Sequence, residues 1–264
     1  MIYAGGISGY NNKTVSLSTA YKVNITLNTV NTSSRAGGIS AYNSASGELK
    51  TSTWTNGNIL AYAVGGACAD NYGSITEISV GDESLGLGVI KGVHVAGLVY
   101  TNHENASCVN NLTISVIGSI SNDGSASGVA YTMKNTSIIT QTACGVQFNS
   151  VNSRENDFAE STCRFKAITL NTPININNWL GERFGIMEKC VIADRGAYVQ
   201  SGEYLLDEIG IFQNKYAMIY KPEEAMGSKN YTCYTDNGFS ESIWNFNYAG
   251  NHFPTLKNSP QIYV

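Results

Sequence analysis

Ala4-Gly5-Gly6-Ile7-Ser8-Gly9-Tyr10-Asn11 is the stretch whose reading decides the fold, because it comes back. Ala36-Gly37-Gly38-Ile39-Ser40-Ala41-Tyr42-Asn43 is almost a copy. Val64-Gly65-Gly66-Ala67-Cys68-Ala69-Asp70-Asn71 and Val95-Ala96-Gly97-Leu98-Val99-Tyr100-Thr101-Asn102 are looser versions. Ala126-Ser127-Gly128-Val129-Ala130-Tyr131-Thr132-Met133 is a fifth, without the closing asparagine. Anchored on Gly6, Gly38, Gly66, Gly97 and Gly128, the copies are separated by 32, 28, 31 and 31 residues. A period of about 30 residues is the mark of a stacked repeat array.

The type of repeat follows from periodicity. After the first anchor, Val15, Leu17, Tyr21, Val23, Ile25 and Leu27 all fall on odd positions, with polar residues on most even ones. Alternation with period two is the pattern of strands with one buried face. A β repeat that cannot bury its apolar face alone stacks coil upon coil. The expected fold is therefore all-β, a right-handed parallel β-helix (β-solenoid) with coils of about 30 residues, each hydrogen-bonded to the next about 4.8 Å away. The residue after each anchor (Ile7, Ile39, Ala67, Leu98, Val129) should point inward. The glycines permit tight turning or close approach of the next coil. Asn11, Asn43, Asn71 and Asn102 share one offset and should stack as a structural ladder, because asparagine bonds backbone through its amide and tolerates left-handed conformations.

Gly5-Gly6-Ile7-Ser8-Gly9-Tyr10-Asn11 and Gly37-Gly38-Ile39-Ser40-Ala41-Tyr42-Asn43 resemble the GLUG repeat, of the form G-G-(I/L)-(V/S/A)-G-x-N. The resemblance covers residues 1–150 and fades after the second copy. Trp244-Asn245-Phe246 with Phe253-Pro254-Thr255-Leu256 is similar to the W-x-F and P-x-L closure that often follows such arrays. GLUG repeats occur in large bacterial surface proteins and adhesins, and as non-catalytic regions of secreted peptidases. The resemblance implies a β-helix with a surface or adhesive role. It transfers no catalytic residue.

Composition supports a polar β surface. Charged residues make up 14% of the 264, against a usual figure of about 25%. Net charge is -4 and no basic run occurs, which argues against a nucleic-acid partner. No apolar stretch reaches the roughly 20 residues of a membrane span. The six cysteines are scattered without a C-x-x-C pair, so neither a metal nor another cofactor is expected, and Cys68 and Cys144 read as small buried residues. Met1 leads at once into the first repeat, with no signal-peptide pattern. An array starting directly on a repeat leaves its first coil open, so the expectation is part of a longer chain, or another chain over that end.

Near residue 150 the pattern changes. Residues 1–150 hold 6 Lys/Arg and 7 Asp/Glu, residues 151–264 hold 10 and 13, and all four prolines fall in the second part. Residues 1–150 are read as regular solenoid and residues 151–264 as an irregular continuation with a C-terminal cap. Strands are expected at 165–170, Cys190–Ala193, 197–200, 209–212 and Ala217–Tyr220, with a short helix at 222–226. Trp244, Phe246, Tyr248 and Phe253 are expected to cover the open end of the core. Gly81-Asp82-Glu83-Ser84-Leu85-Gly86-Leu87-Gly88 lacks the third glycine and lysine of a phosphate loop and reads as an extruded loop with Asp82 and Glu83 solvated.

Three functional classes are in play. An enzyme of the polysaccharide lyase or glycosidase kind needs paired carboxylates, or a base with charge-neutralising partners, on one face. The repeat region offers Asp70, Glu77, Asp82, Glu83, His94, His103 and Glu104, and His103-Glu104 would point to opposite faces of a strand. Glu188, Asp194, Glu203, Asp207 and Glu208 show no telling spacing. The second class, a rigid spacer, needs no site. The favoured class is non-enzymatic recognition on a cell surface or virion tail. Tyrosines at shared offsets, Tyr10 with Tyr42 and Tyr100 with Tyr131, would form columns whose flat faces and hydroxyls bind a glycan or protein receptor. Equally, the same tyrosines suit ordinary strand positions. Tail fibres of this kind are commonly trimeric, so a homotrimer is one expected assembly.

Overall fold

The computed structural model describes residues 1–121, 125–134, 136–148, 186–188, 190–193, 217–220, 232–246 and 252–258. It is a β-solenoid with coils of about 31 residues. The first coil contributes β1 (Ile2–Gly5), β2 (Ser8–Asn11), β3 (Thr14–Ser16), β4 (Thr19–Tyr21) and β5 (Asn24–Thr26). The second contributes β6 (Ser34–Gly37), β7 (Ser40–Asn43) and β8 (Glu48–Thr55), and β9 (Asn58–Gly65) leads into the third. There follow β10 (Cys68–Asn71), β11 (Ser74–Val80), β12 (Val89–Ala96), β13 (Val99–Asn102), β14 (Ser107–Val109), β15 (Leu112–Thr113), β16 (Val116–Ser119) and β17 (Ser125–Ser127). The last full coil holds β18 (Ala130–Met133), β19 (Ile138–Thr140), β20 (Ala143–Cys144) and β21 (Gln147–Phe148). Every pairing among these strands is parallel and in repeat register, as Ser8↔Ser40 and Cys68↔Val99 illustrate.

Three sheets run along the axis: β1-β6-β9-β12-β16-β21, β2-β7-β10-β13-β18, and a third containing β8, β11, β14, β15, β19 and β20. The core is a bundle of inward rows, one residue per coil. Ile39, Ala67, Leu98 and Val129 form one, and Ile25, Ile59, Ile90 and Ile117 another. Trp54 stands in the row Ala20, Trp54, Val80, Thr113 and Cys144, so its bulk lies beside a small neighbour below.

Two expectations change in detail. The odd-numbered apolar face of the first coil breaks at Leu17, which is exposed, and at Tyr21, where Ala20 is the buried residue. The cause is a corner. Leu17 and Lys22 have φ of 50° and 56°, and each left-handed residue shifts the alternation by one. Leu17, Thr51, Glu77, Asn110 and Gln141 occupy one offset and all have positive φ, so the corner recurs in five coils.

The second change concerns the cap. Beyond the last full coil, β22 (Ile186–Glu188), β23 (Cys190–Ala193) and β24 (Ala217–Tyr220) extend the third sheet. The strands Cys190–Ala193 and Ala217–Tyr220 thus have the expected bounds, whereas 165–170, 197–200, 209–212, 222–226 and Tyr248 lie outside the described residues. The C-terminal segment forms a helical turn α1 (Thr232–Thr235) and an antiparallel pair, β25 (Trp244–Asn245) with β26 (Thr255–Leu256). Trp244, Phe246 and Phe253 pack on Leu112, Ile114 and Ala143, on the flank of the solenoid, where the expectation was the end of its core. The reason is the outward row Thr19, Thr53, Ser79, Leu112, Ala143. It is polar in three coils and apolar in the next two, which creates a flank that must be covered. Trp244 Nε1 donates to Asn110 Oδ1 at 2.8 Å.

The 81–88 loop holds this flap. Asp82 Oδ1 accepts from Ser84 N, Ser84 Oγ and Leu85 N, which closes the loop on itself. Glu83 Oε2 accepts from Phe253 N at 3.0 Å and lies 3.4 Å from His252 Nδ1. Glu83 is therefore a tether, where solvation was expected. Leu112→Ser, which restores the polar residue type of the earlier coils, is expected to weaken docking of the flap by about 2 kcal/mol through lost apolar burial. Limited proteolysis should then cut within 232–258 while the far-ultraviolet spectrum of the coils is retained. Unchanged protection would refute the assignment of Leu112 to the flap interface.

Candidate functional site

Two glycines, Gly5-Gly6, Gly37-Gly38 and Gly65-Gly66, sit at the sharp bend between the first and second sheets in the first three coils, where the next two carry Ala96-Gly97 and Ser127-Gly128. A Cβ on Gly5, Gly37 or Gly65 would lie within 2.0 Å of the carbonyl oxygen three residues on. Outside the bend, side chains of the two sheets face one another. From the first sheet come Tyr3, Arg35, Ala63 and His94, in one row. From the second come Gly9, Ala41, Ala69, Tyr100 and Tyr131, three residues after their anchors. The small residues in the early coils leave room for Tyr3 and Arg35, and the tyrosines fill the later ones.

At the centre of this seam lies a charge cluster. Asp70, with a side chain only 10% exposed, places Oδ2 3.4 Å from Arg35 Nε and Oδ1 3.2 Å from His103 Nε2. Arg35 Nη1 donates to Thr32 O at 2.8 Å, and its guanidinium lies over the Tyr100 ring at 5.2 Å. Its Nε–H meets the carboxylate as an ion pair without a well-directed hydrogen bond.

Two aromatic columns flank the cluster. In the outer one Tyr10 and Tyr42 stack at 4.8 Å and 5°, Tyr42 meets Tyr72 at 5.1 Å, and Tyr72 stacks on His103 at 3.7 Å. Tyr3 meets Tyr42 edge-on at 5.3 Å. In the inner one Tyr100 and Tyr131 stack at 5.0 Å, and the Tyr131 hydroxyl shares a hydrogen bond of 2.9 Å with His94 Nδ1. Tyr131 is buried, so this second column belongs to the interior of the seam and presents no free face.

The tyrosine pairs named from their offsets therefore do stack, but with a changed meaning. Rings as near and as parallel as Tyr10 and Tyr42 must overlap, since coplanar rings cannot approach so closely. Their faces are used on one another, and the column shows solvent its rims and hydroxyls. His103 is partnered with Asp70, where sequence had set it beside Glu104. Tyr72 goes unnamed in the sequence reading, and His103 is weighed there only as a catalytic candidate; both directly follow a ladder asparagine, and their common offset, six after the anchor, was the available signal for the column.

Under the seam runs the ladder. Asn11 Nδ2 donates to Asn43 Oδ1, Asn43 Nδ2 to Asn71 Oδ1 and Asn71 Nδ2 to Asn102 Oδ1, each at 2.8 Å. The amides also bond Glu48 O, Ser74 O, Ser107 O and Ile138 O, tying the second sheet to the third.

Electrostatics make the seam chemically quiet. Burial, aided by the Asp70 charge, pushes the Tyr3 hydroxyl up to about 12. Burial, opposed by Arg35, pushes Tyr100 up to about 12. Burial, then the neighbouring Tyr10 and Asp70, shifts Tyr42 upward; burial and then Asp70 shift Tyr72 upward; and burial raises the Cys68 thiol well above its usual range. These shifts work against a phenolate base or a thiolate nucleophile. A raised folded-state pKa gives stability that is fully present below the ordinary value of about 10 and lost as pH rises through about 12. The unfolding midpoint is expected to fall steeply across that window, together with the rise of phenolate absorbance. Tyrosines that ionise near 10 with no loss of stability would refute this.

Among the described residues no cluster of three His, Cys, Asp or Glu is placed to hold a metal ion, and no helix is long and apolar enough to cross a membrane. The fold and seam define a β-solenoid with an aromatic, hydrogen-bonding flank. No family model, curated protein sequence or solved structure matches the chain.

Proposed function

We propose that the chain is a non-enzymatic recognition module, a β-solenoid that binds a receptor on the surface of a cell, carried by a bacterial surface protein or a phage tail appendage. The observation that carries this reading is the column Tyr10–Tyr42–Tyr72–His103, aligned along the axis on one face. A spacer needs no such alignment. Among the described residues, Tyr10 and Tyr72 are the large aromatics left exposed, and with Tyr42 they form one patch in place of scattered single rings. Tyrosine supplies a rigid contact with a polar tip at low entropic cost. The motif resemblance points the same way.

The test is binding of the purified chain to arrays of glycans and of surface proteins, with Tyr42→Ala/Tyr72→Ala in parallel. Selective binding that the double substitution abolishes is expected. Binding indifferent to both residues would overturn the assignment of the site, and fragments released from a bound polysaccharide would overturn the non-enzymatic reading.

A further inference from the structure

We infer that the outer column recognises a neutral, linear, polyhydroxylated chain lying parallel to the solenoid axis, one sugar unit to each coil; this rests on the recognition function proposed above. Four features select this ligand.

The first is direction. The rings succeed one another along the axis at 4.8, 5.1 and 3.7 Å, following the separation of parallel strands. A pyranose unit advances by a similar distance along an extended chain, so successive sugars meet successive rings. A chain crossing the coils would meet only one.

The second is the chemistry of the rims. Because the facing sides of successive rings are occupied by one another, leaving only the outer face of Tyr10 at the end of the column, the column offers mainly the phenol hydroxyls of Tyr10, Tyr42 and Tyr72, each both donor and acceptor. No group among the described residues is bonded to them. A repeating set of hydroxyls is the matching partner.

The third is charge. The buried Asp70 is balanced by Arg35 and held by His103, so the seam presents no net field to select a polyanion or a polycation. The fourth is what the face lacks. Its backbone groups are used in coil-to-coil pairing, so no strand can be added to it. Among the described residues none of the exposed aliphatic side chains (Met1, Ile2, Ile7, Leu17, Val30, Ile120 and Ile138) is a member of the column, with Met1 reaching only the Tyr3 hydroxyl beside it, so the column itself lacks the apolar centre of a protein hot spot.

The experiment titrates the full chain with linear neutral oligosaccharides of two to six units from the cello, manno and N-acetylchito series, by calorimetry and saturation-transfer NMR. Affinity in one series is expected to rise with each unit and to level off at about four, the number of rings in the column. Tyr42→Phe keeps the stack and removes one hydroxyl. It is expected to weaken binding about fivefold, the worth of one hydrogen bond, with thermal stability unchanged. Salt is expected to leave the affinity unaltered.

Three results overturn the inference. They are wild-type affinity in Tyr42→Phe, affinity independent of length, and binding of none of these series. Tyr42-dependent binding of a protein or of a charged polysaccharide would refute the inference and leave the recognition function standing. Binding that ignores Tyr42→Ala/Tyr72→Ala refutes both.

Discussion

Gly38→Ala is expected to destabilise the solenoid by about 3 kcal/mol or more, the upper range for overpacking a filled interior. A Cβ at this position would sit 2.2 Å from Gly66 O and 2.5 Å from Trp54 Cγ. Neither can yield. Gly66 O accepts the Gly38 N–H at 2.9 Å, and the next bonds upward, Ile39 N and Ser40 N to Ala67 O, hold the same two coils together. Trp54 is fully buried. The same contact recurs at Gly6, Gly66 and Gly97, where a Cβ would lie 2.0–2.2 Å from the glycine oxygen of the next coil. The column of second glycines is thus the line along which successive coils come closest. Gly9→Ala is the control. Its Cβ would meet nothing nearer than 3.2 Å, and alanine already stands at this offset as Ala41 and Ala69. It is expected to be near neutral. Urea unfolding of both variants decides the matter; equal midpoints would show that the anchor glycine is not needed for close approach.

That glycine column shows why so much of the fold was legible. Contacts between identical offsets in adjacent coils are written in the sequence as repetition, and repetition can be read without knowing the geometry. The inward row Ile39, Ala67, Leu98, Val129 and the four ladder asparagines follow from the anchor spacing alone. What stayed hidden depends on bends. Leu17 and Tyr21 were assigned to the buried face because a left-handed corner leaves no mark when the residue is leucine, lysine or threonine in place of glycine. Arg35, Asp70 and His103 come from three different coils and from both sides of the glycine bend, and no spacing joins them. Asp70 even occupies the offset of Tyr10 and Tyr42, so that repetition pointed to a tyrosine's role there. The flank beneath the C-terminal flap was readable in principle. Leu112 is apolar where the equivalent outward position carries Thr19, Thr53 and Ser79, but the outward row becomes visible only once the corner is known.

Asn71→Ala, in the middle of the ladder, is expected to cost roughly 3–4 kcal/mol, because several buried polar groups lose their partner at once. The Asn71 amide donates to Asn102 Oδ1 and Ser107 O and accepts from Asn43 Nδ2 and Gly73 N, all with the residue fully buried. Position matters as much as chemistry. The fifth coil carries Met133 at the ladder offset, and there Asn102 Nδ2 keeps bonds to Ala106 O and Ile138 O, the counterparts of those from Asn43 to Gly47 O and Ser74 O. An apolar residue is accommodated where the ladder ends, since the last amide still has its two backbone acceptors, whereas a mid-ladder gap also takes the amide donor from Asn102 Oδ1 and the acceptor from Gly73 N. Asn71→Met should therefore be nearly as damaging as Asn71→Ala despite filling the space. Asn71→Asp separates donation from shape. Its carboxylate would face Asn102 Oδ1 with no hydrogen to give, and burial would raise its folded-state pKa above the unfolded one. Stability is then greatest while the carboxyl is protonated and falls as pH rises through that raised value. Thermal unfolding of this variant is expected to improve on mild acidification, when the protonated carboxyl can donate as the amide did. A midpoint that follows the wild type at every pH would mean that the amide hydrogens are not what binds coil to coil.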